Sequence, residues 1–342
     1  YTPTFVASQI RDPAPSPDGS RIAFTSMARL RVADADGSNA QRLTGTAPID
    51  ETGVTEHFPA WSPDGSRIAY VTWEGEAGHV YTVPADGGAT QRVSAEPASY
   101  VTPAWTPDGT RLVVFRDAAR AYRESAGGFG SGSPDPTEIV WLPVGQGPAD
   151  ATRIAAADGR STPHFVSGSD RLYLSNGGDN ALVSIRLDGT DERTHIRVTG
   201  PRPPNADEGL GPDAIVMAPM GDQAMATING QLYTVTVPRV GADPPTINVG
   251  KPDNAAFPAR RLTDMGGEFP AWSADGGTVH YALGNAFFSH DLGAADADTA
   301  YTAAEVRIEI DVARDIPQGT VVLRGATVLT MAAAGTGVPQ VV

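Results

Sequence analysis

The chain has 342 residues, a formal net charge of −15 and no cysteine, which excludes disulfides, thiolate metal sites and a cysteine nucleophile. That charge argues against nucleic acid and anionic membrane surfaces as partners, and no apolar run reaches the length of a membrane-spanning helix. Glycine (38) and proline (29) recur at turn positions between apolar segments, which marks many short strands rather than disorder.

Residues 1–11 form a lead-in with strand character at Phe5, Val6 and Ile10. A unit then opens at Pro13 (PAPSPDGSRIAF), passes a turn at Asp36-Gly37-Ser38 and closes at Gln41 to Thr44. It returns, nearly intact, from Pro59 (PAWSPDGSRIAY), Pro103 (PAWTPDGTRLVV) and Pro270 (PAWSADGGTVHY), and in looser form from Pro163 (PHFVSGSDRLYL). Recurrence at this interval means a repeat architecture.

The unit has a physical basis. Pro63 pre-sets φ for the first corner of a turn, Asp64 bonds nearby backbone N–H groups, and Gly65 supplies the positive φ that closes a short hairpin. Asp108 with Gly109, and Asp275, repeat this chemistry. Ile68 and Tyr70 then alternate with Arg67 and Ala69 at a strand's period. A third run (His79 to Pro84), a turn at Asp86-Gly87-Gly88 and a closing strand at Gln91 to Ser94 complete four antiparallel strands, one propeller blade.

Blade three carries an insertion from Asp117 to Pro136 that includes a glycine-serine stretch, Gly127 to Ser133. Blade five has lost the motif and is placed from Ala214 through a turn at Gly221-Asp222 to Val235, with a Pro-rich loop from Gly241 to Pro258 before Arg260 to Thr263. Six blades fill residues 1–303. Residues 304–316 read as a linker or an edge strand, and 317–342 hold two further strands' worth of apolar sequence.

The repeated PAWSPDG turn, the later Asp-Gly turn and the R-L-T ending resemble the TolB-like propeller repeat over most of residues 13–292. The tail from Gly319 (GTVVLRGATVLTM) looks like the opening strands of an amidohydrolase-superfamily catalytic region. Together these resemblances imply an all-β fold: a six-bladed TolB-like propeller of four-stranded antiparallel blades, followed by the first strands of a small β-sandwich. They imply the non-catalytic front portion of an exported (periplasmic or secreted) amidohydrolase-type enzyme, acting on amide, peptide or cyclic C–N bonds. Its partner would be the catalytic barrel, continued in the same polypeptide or held in a separate chain. That barrel would carry zinc or another divalent metal; self-association into a homo-oligomer stays open. The alternative is a stand-alone TolB-like interaction scaffold that binds a peptide at the propeller channel.

No catalytic residue is assigned within the chain. The six histidines (His57, His79, His164, His195, His280, His290) lack metal-ligand spacing, so no metal site is expected. The G-x-S-x-G elbow of a serine hydrolase is absent. Recurrence at turns assigns Asp64, Asp108 and Asp275 to backbone geometry, and Asp34 to Asn39 lacks the glutamate of a calcium-binding EF-hand loop. Trp61, Trp105 and Trp272 stand at equivalent positions and are read as wedges between blades, with a ligand cage as the alternative. Arg116, Arg120, Tyr122 and Arg123 lie at the glycine-serine insertion of an acidic chain. They are the candidate substrate-gating loop, able to bind an anionic group; the alternative is a solvated loop.

Overall fold

The computed structural model describes residues 2–45, 53–119, 136–239, 243–298, 300–314, 329–330 and 340–341. Two compact units divide the chain: Val6–Ile310, and a second made of Tyr1–Phe5 with Asp311–Val342.

The larger unit is a six-bladed β-propeller. Blades one to six occupy 11–42, 55–92, 99–156, 160–199, 214–261 and 268–307, each built from four antiparallel strands that follow one another in sequence except in blade five, where Thr246–Asn248 intervenes. First strands of neighbouring blades meet around the ring, and blade one meets blade six. Blade six takes Ala304–Arg307 as its outermost strand, so the propeller extends past residue 303. Backbone bonds from Ala7 to the Ile310 carbonyl and from Ile10 to the Gly284 carbonyl, both 2.9 Å, secure the lead-in to blade six.

The repeated turn explains why each blade starts as a hairpin. Asp64 Oδ1 accepts from Ser62 Oγ (2.6 Å), Ser66 N–H (3.0 Å) and Ser66 Oγ (2.8 Å), while Ser62 Oγ accepts from Arg67 N–H at 2.9 Å. Gly65 sits at φ +70°, which a side chain would strain. Asp108 and Asp275 make the same bonds to Thr106 and Thr110, and to Ser273 and Gly277. These hydrogen bonds hold the Asp64 carboxyl down to about 2.

Strand alternation here does not separate core from solvent. Ile68 and Tyr70 pack in the cluster shared with blade one, whereas Ala69 and Val71 pack in the cluster shared with blade three. A blade has neighbours on both faces, so its second strand is buried on both and period two sorts side chains between two interfaces. Burial of Ala69 therefore differs from the half-exposed strand that alternation alone suggests.

Blade four departs from the repeat. Thr246–Asn248, from the Pro-rich loop of blade five, pairs parallel with the outermost strand Arg193–Thr199 and makes a fifth strand. This covers an edge that would otherwise present unpaired backbone groups.

In the smaller unit, Thr4–Val6 forms a two-stranded sheet with Asp311–Ala313. Arg314 N–H donates to the Pro3 carbonyl (2.9 Å), and the Arg314 guanidinium lies 5.4 Å from the Phe5 ring centroid. Leu329–Thr330 pairs antiparallel with Gln340–Val341. The rest of the amidohydrolase-like tail lies outside the described residues.

Candidate functional site

The tryptophans join blade to blade. Trp105 is 7% exposed and its Nε1–H donates to the Ala60 carbonyl of blade two at 3.0 Å. Trp61 donates to Ala14 of blade one (2.9 Å), and Trp272 to Val216 of blade five (3.1 Å). Arg21 also lies 5.2 Å from the Trp61 ring centroid. Phe165 of blade four and Met217 of blade five occupy the corresponding place and lack the donor. There His164 makes the connection: its Nε2 accepts from Met217 N–H and its Nδ1–H donates to the Thr162 carbonyl, both at 2.8 Å. The Met217 donor fixes the tautomer, and burial holds this imidazole down to about 4, hence neutral.

Arg116 lies one residue from the end of the second strand of blade three, Arg111–Asp117. Its guanidinium is bound twice by Glu138 Oε1 (2.6 and 2.8 Å) and lies 3.5 Å from Glu96, so it anchors the base of the insertion instead of reaching outward. Arg120, Tyr122 and Arg123 lie outside the described residues.

A second cluster, not singled out by the sequence, sits where the first strands converge. In five blades the residue before the strand's proline has a positive φ: Asp12 (+50°), Phe58 (+54°), Thr102 (+48°), Thr162 (+49°) and Phe269 (+51°). The antiparallel register slips there by one residue each time, which is a β-bulge. Blade five has no proline at this place and keeps an unbroken register. Non-glycine residues in this region cost about 1–3 kcal/mol each and gather at functional sites.

Blades one, two and six bring chemically distinct side chains to these bulges. Burial pushes the Asp12 carboxyl up to about 6, partly offset by Arg11 and the Phe58 N–H. Burial, reinforced by Arg11, holds His57 down to about 4, and its Nε2 lies 2.9 Å from Thr55 Oγ1. The Arg11 guanidinium is 5.5 Å from the Phe269 ring centroid, and His57 and Phe58 have centroids 6.2 Å apart. A cation, a carboxyl whose proton affinity is raised and two aromatic rings are thus gathered near positive-φ backbone. Among the described residues, no group of three or more His, Asp or Glu side chains could hold a metal.

A family model for the TolB beta propeller domain matches residues 26–120, from blade one through blade three. Those residues carry TolB-like propeller repeats, and the chain folds as a six-bladed β-propeller. No curated protein matches it. Among solved structures it is similar to a putative TolB from Agrobacterium tumefaciens (18% identity, 79% of this chain and 87% of that one, TM-score 0.53). It is also similar to TolB from Acinetobacter baumannii (14% identity, 83% and 61%, TM-score 0.51) and to a prolyl endopeptidase (12% identity, 89% and 50%, TM-score 0.52). The chain thus spans under two thirds of the Acinetobacter TolB and half of the endopeptidase. At these identities the likeness is one of fold. No helix among the described residues is long and apolar enough to cross a membrane.

Proposed function

We infer that this TolB-like propeller is the non-catalytic front part of an exported amidohydrolase-type hydrolase, where it packs against a metal-dependent barrel and limits access to it. One observation carries this reading: all six blades are complete, with four strands each, inside Val6–Ile310. The tail after Ile310 belongs to a different unit and is not needed to finish the ring. A tail resembling the opening of an amidohydrolase catalytic region then has a role as the start of that region. The barrel would hydrolyse an amide, peptide or cyclic C–N bond with a metal-activated water. Arg120, Tyr122 and Arg123 would approach the substrate from the insertion that Arg116 anchors. Affinity purification from the native cell, followed by native mass spectrometry and metal analysis, tests this. A barrel, in the same polypeptide or as a partner, with bound zinc or another divalent ion is expected; the chain alone and metal-free contradicts it.

The Arg11, Asp12, His57, Phe58 and Phe269 cluster favours a second reading, peptide docking at the channel. Loss of peptide binding in Phe58→Ala and Arg11→Ala at unchanged thermal stability is its expected signature. Peptide binding that survives both substitutions removes it.

A further inference from the structure

The junction between blades four and five lacks the indole that three other junctions carry, and a cleft opens there. It measures about 360 Å³ and is lined by residues of both blades, including Tyr173, His195, Met217, Met220 and Arg239. This is within the range of small-ligand sites. At three other junctions an indole spans the gap and donates to the preceding blade. Here Met217 holds that place, so the wall is a flexible thioether with no donor of its own.

Its chemistry is polarised. Tyr173 and His195 stack with centroids 5.0 Å apart and form an aromatic floor. His195 Nε2 is engaged by Ser184 Oγ at 2.8 Å. Met217 is buried, whereas Met220 is 60% exposed at the rim. The lining includes no aspartate or glutamate, although the chain has 40. Its one full cation, Arg239, is exposed and has no ion pair among the described residues. Other arginines beside this region are occupied: Arg171 and Arg193 both bind Asp191. A guanidinium left without a carboxylate in so acidic a chain is complementary to an anion from outside.

We propose that the cleft between blades four and five binds a small organic carboxylate with a planar apolar body, the ring against Tyr173, His195 and Met217 and the carboxylate on Arg239. This does not depend on the hydrolase reading, because the cleft is made from the propeller's own blades. His195, held down to about 4 chiefly by burial, stays neutral at pH 7 and offers a ring face in place of a second charge.

The test is methyl NMR of the full chain with 13C-methyl methionine, which reports six positions, with Met217→Leu and Met220→Leu to assign the two cleft signals. Benzoate is the probe and benzyl alcohol its uncharged counterpart. Saturable shifts confined to Met217 and Met220 with benzoate are expected, together with at least tenfold weaker binding in Arg239→Ala and with benzyl alcohol. Absence of saturable shifts at both methionines would overturn the proposal, as would equal binding of the two probes or undiminished benzoate binding by Arg239→Ala. Unchanged unfolding of Arg239→Ala establishes that any loss reflects the site itself.

Discussion

Replacing Trp105 by alanine tests whether the repeated tryptophan joins blades or serves a ligand. The side chain is 7% exposed, packs in the blade two–three core and donates to the Ala60 carbonyl at 3.0 Å. Burying roughly 200 Å² of ring at ~25 cal/mol/Å² contributes about 5 kcal/mol. Partial collapse of the cavity brings the expected loss to about 3–5 kcal/mol. For a cooperative unit of about 300 residues, an unfolding entropy of ~2.1 cal/mol/K per residue converts this into about 5–8 °C of Tm. Trp105→Phe keeps most of the packing and strands the Ala60 carbonyl, so about 1–2 kcal/mol is expected. Trp61 and Trp272, both half-buried, should cost less than Trp105 on truncation. Calorimetry and urea titration measure all of these. A Tm shift under 2 °C for Trp105→Ala, accompanied by lost ligand binding, would refute the structural role.

Acid provides another perturbation. His57, His164, His195 and His280 are each held down to about 4, with burial as the leading cause. Unfolded imidazoles protonate near 6.5, so the unfolded chain binds more protons below that pH and stability falls as the pH drops from about 6.5 to 4. His164 alone accounts for about 3 kcal/mol at most, at ~1.4 kcal/mol per tenfold change in proton affinity. Asp12 acts in the opposite sense: raised to about 6, its contribution is lost as the pH rises through 6, so Asp12→Asn should raise Tm at pH 8 and not at pH 4. Urea midpoints that stay flat from pH 7 to 4.5, or an Asp12→Asn effect confined to acid, contradict these assignments. Deleting Gly127 to Ser133 should leave propeller unfolding unchanged and alter turnover by the complete hydrolase; unaltered kinetics would remove that loop from the function.

Local chemistry made much of the fold legible. The Pro-Asp-Gly hairpin is written in three adjacent residues, so each copy announces a blade start, and Gln91-Arg92 and Arg260-Arg261 fall in outermost strands as expected. The fifth strand of blade four was not legible, because Thr246–Asn248 pairs in parallel with a segment nearly fifty residues earlier and sits in a Pro-rich loop with no alternation. The channel cluster escaped for another reason. Bulge position repeats more faithfully than side chain: Asp12, the Phe58 and Phe269 pair and the Thr102 and Thr162 pair are of three types, and all five share the proline that follows. That proline was the available signal, since it appears in mid-strand where a ladder donor is missing and a bulge is the usual accommodation. Arg116 was recognised as a cation near an insertion; its fixation by Glu138 and Glu96 depends on strand pairing that composition does not disclose.

Whether the ring is whole without the tail can be measured directly by comparing the 342-residue chain with one ending at Arg314. Six complete blades within Val6–Ile310 predict the same cooperative unfolding and a Tm within about 2 °C. A shortened chain that melts more than 10 °C lower, or loses cooperativity, would show that the last residues belong to the propeller and would contradict their assignment to a second folding unit.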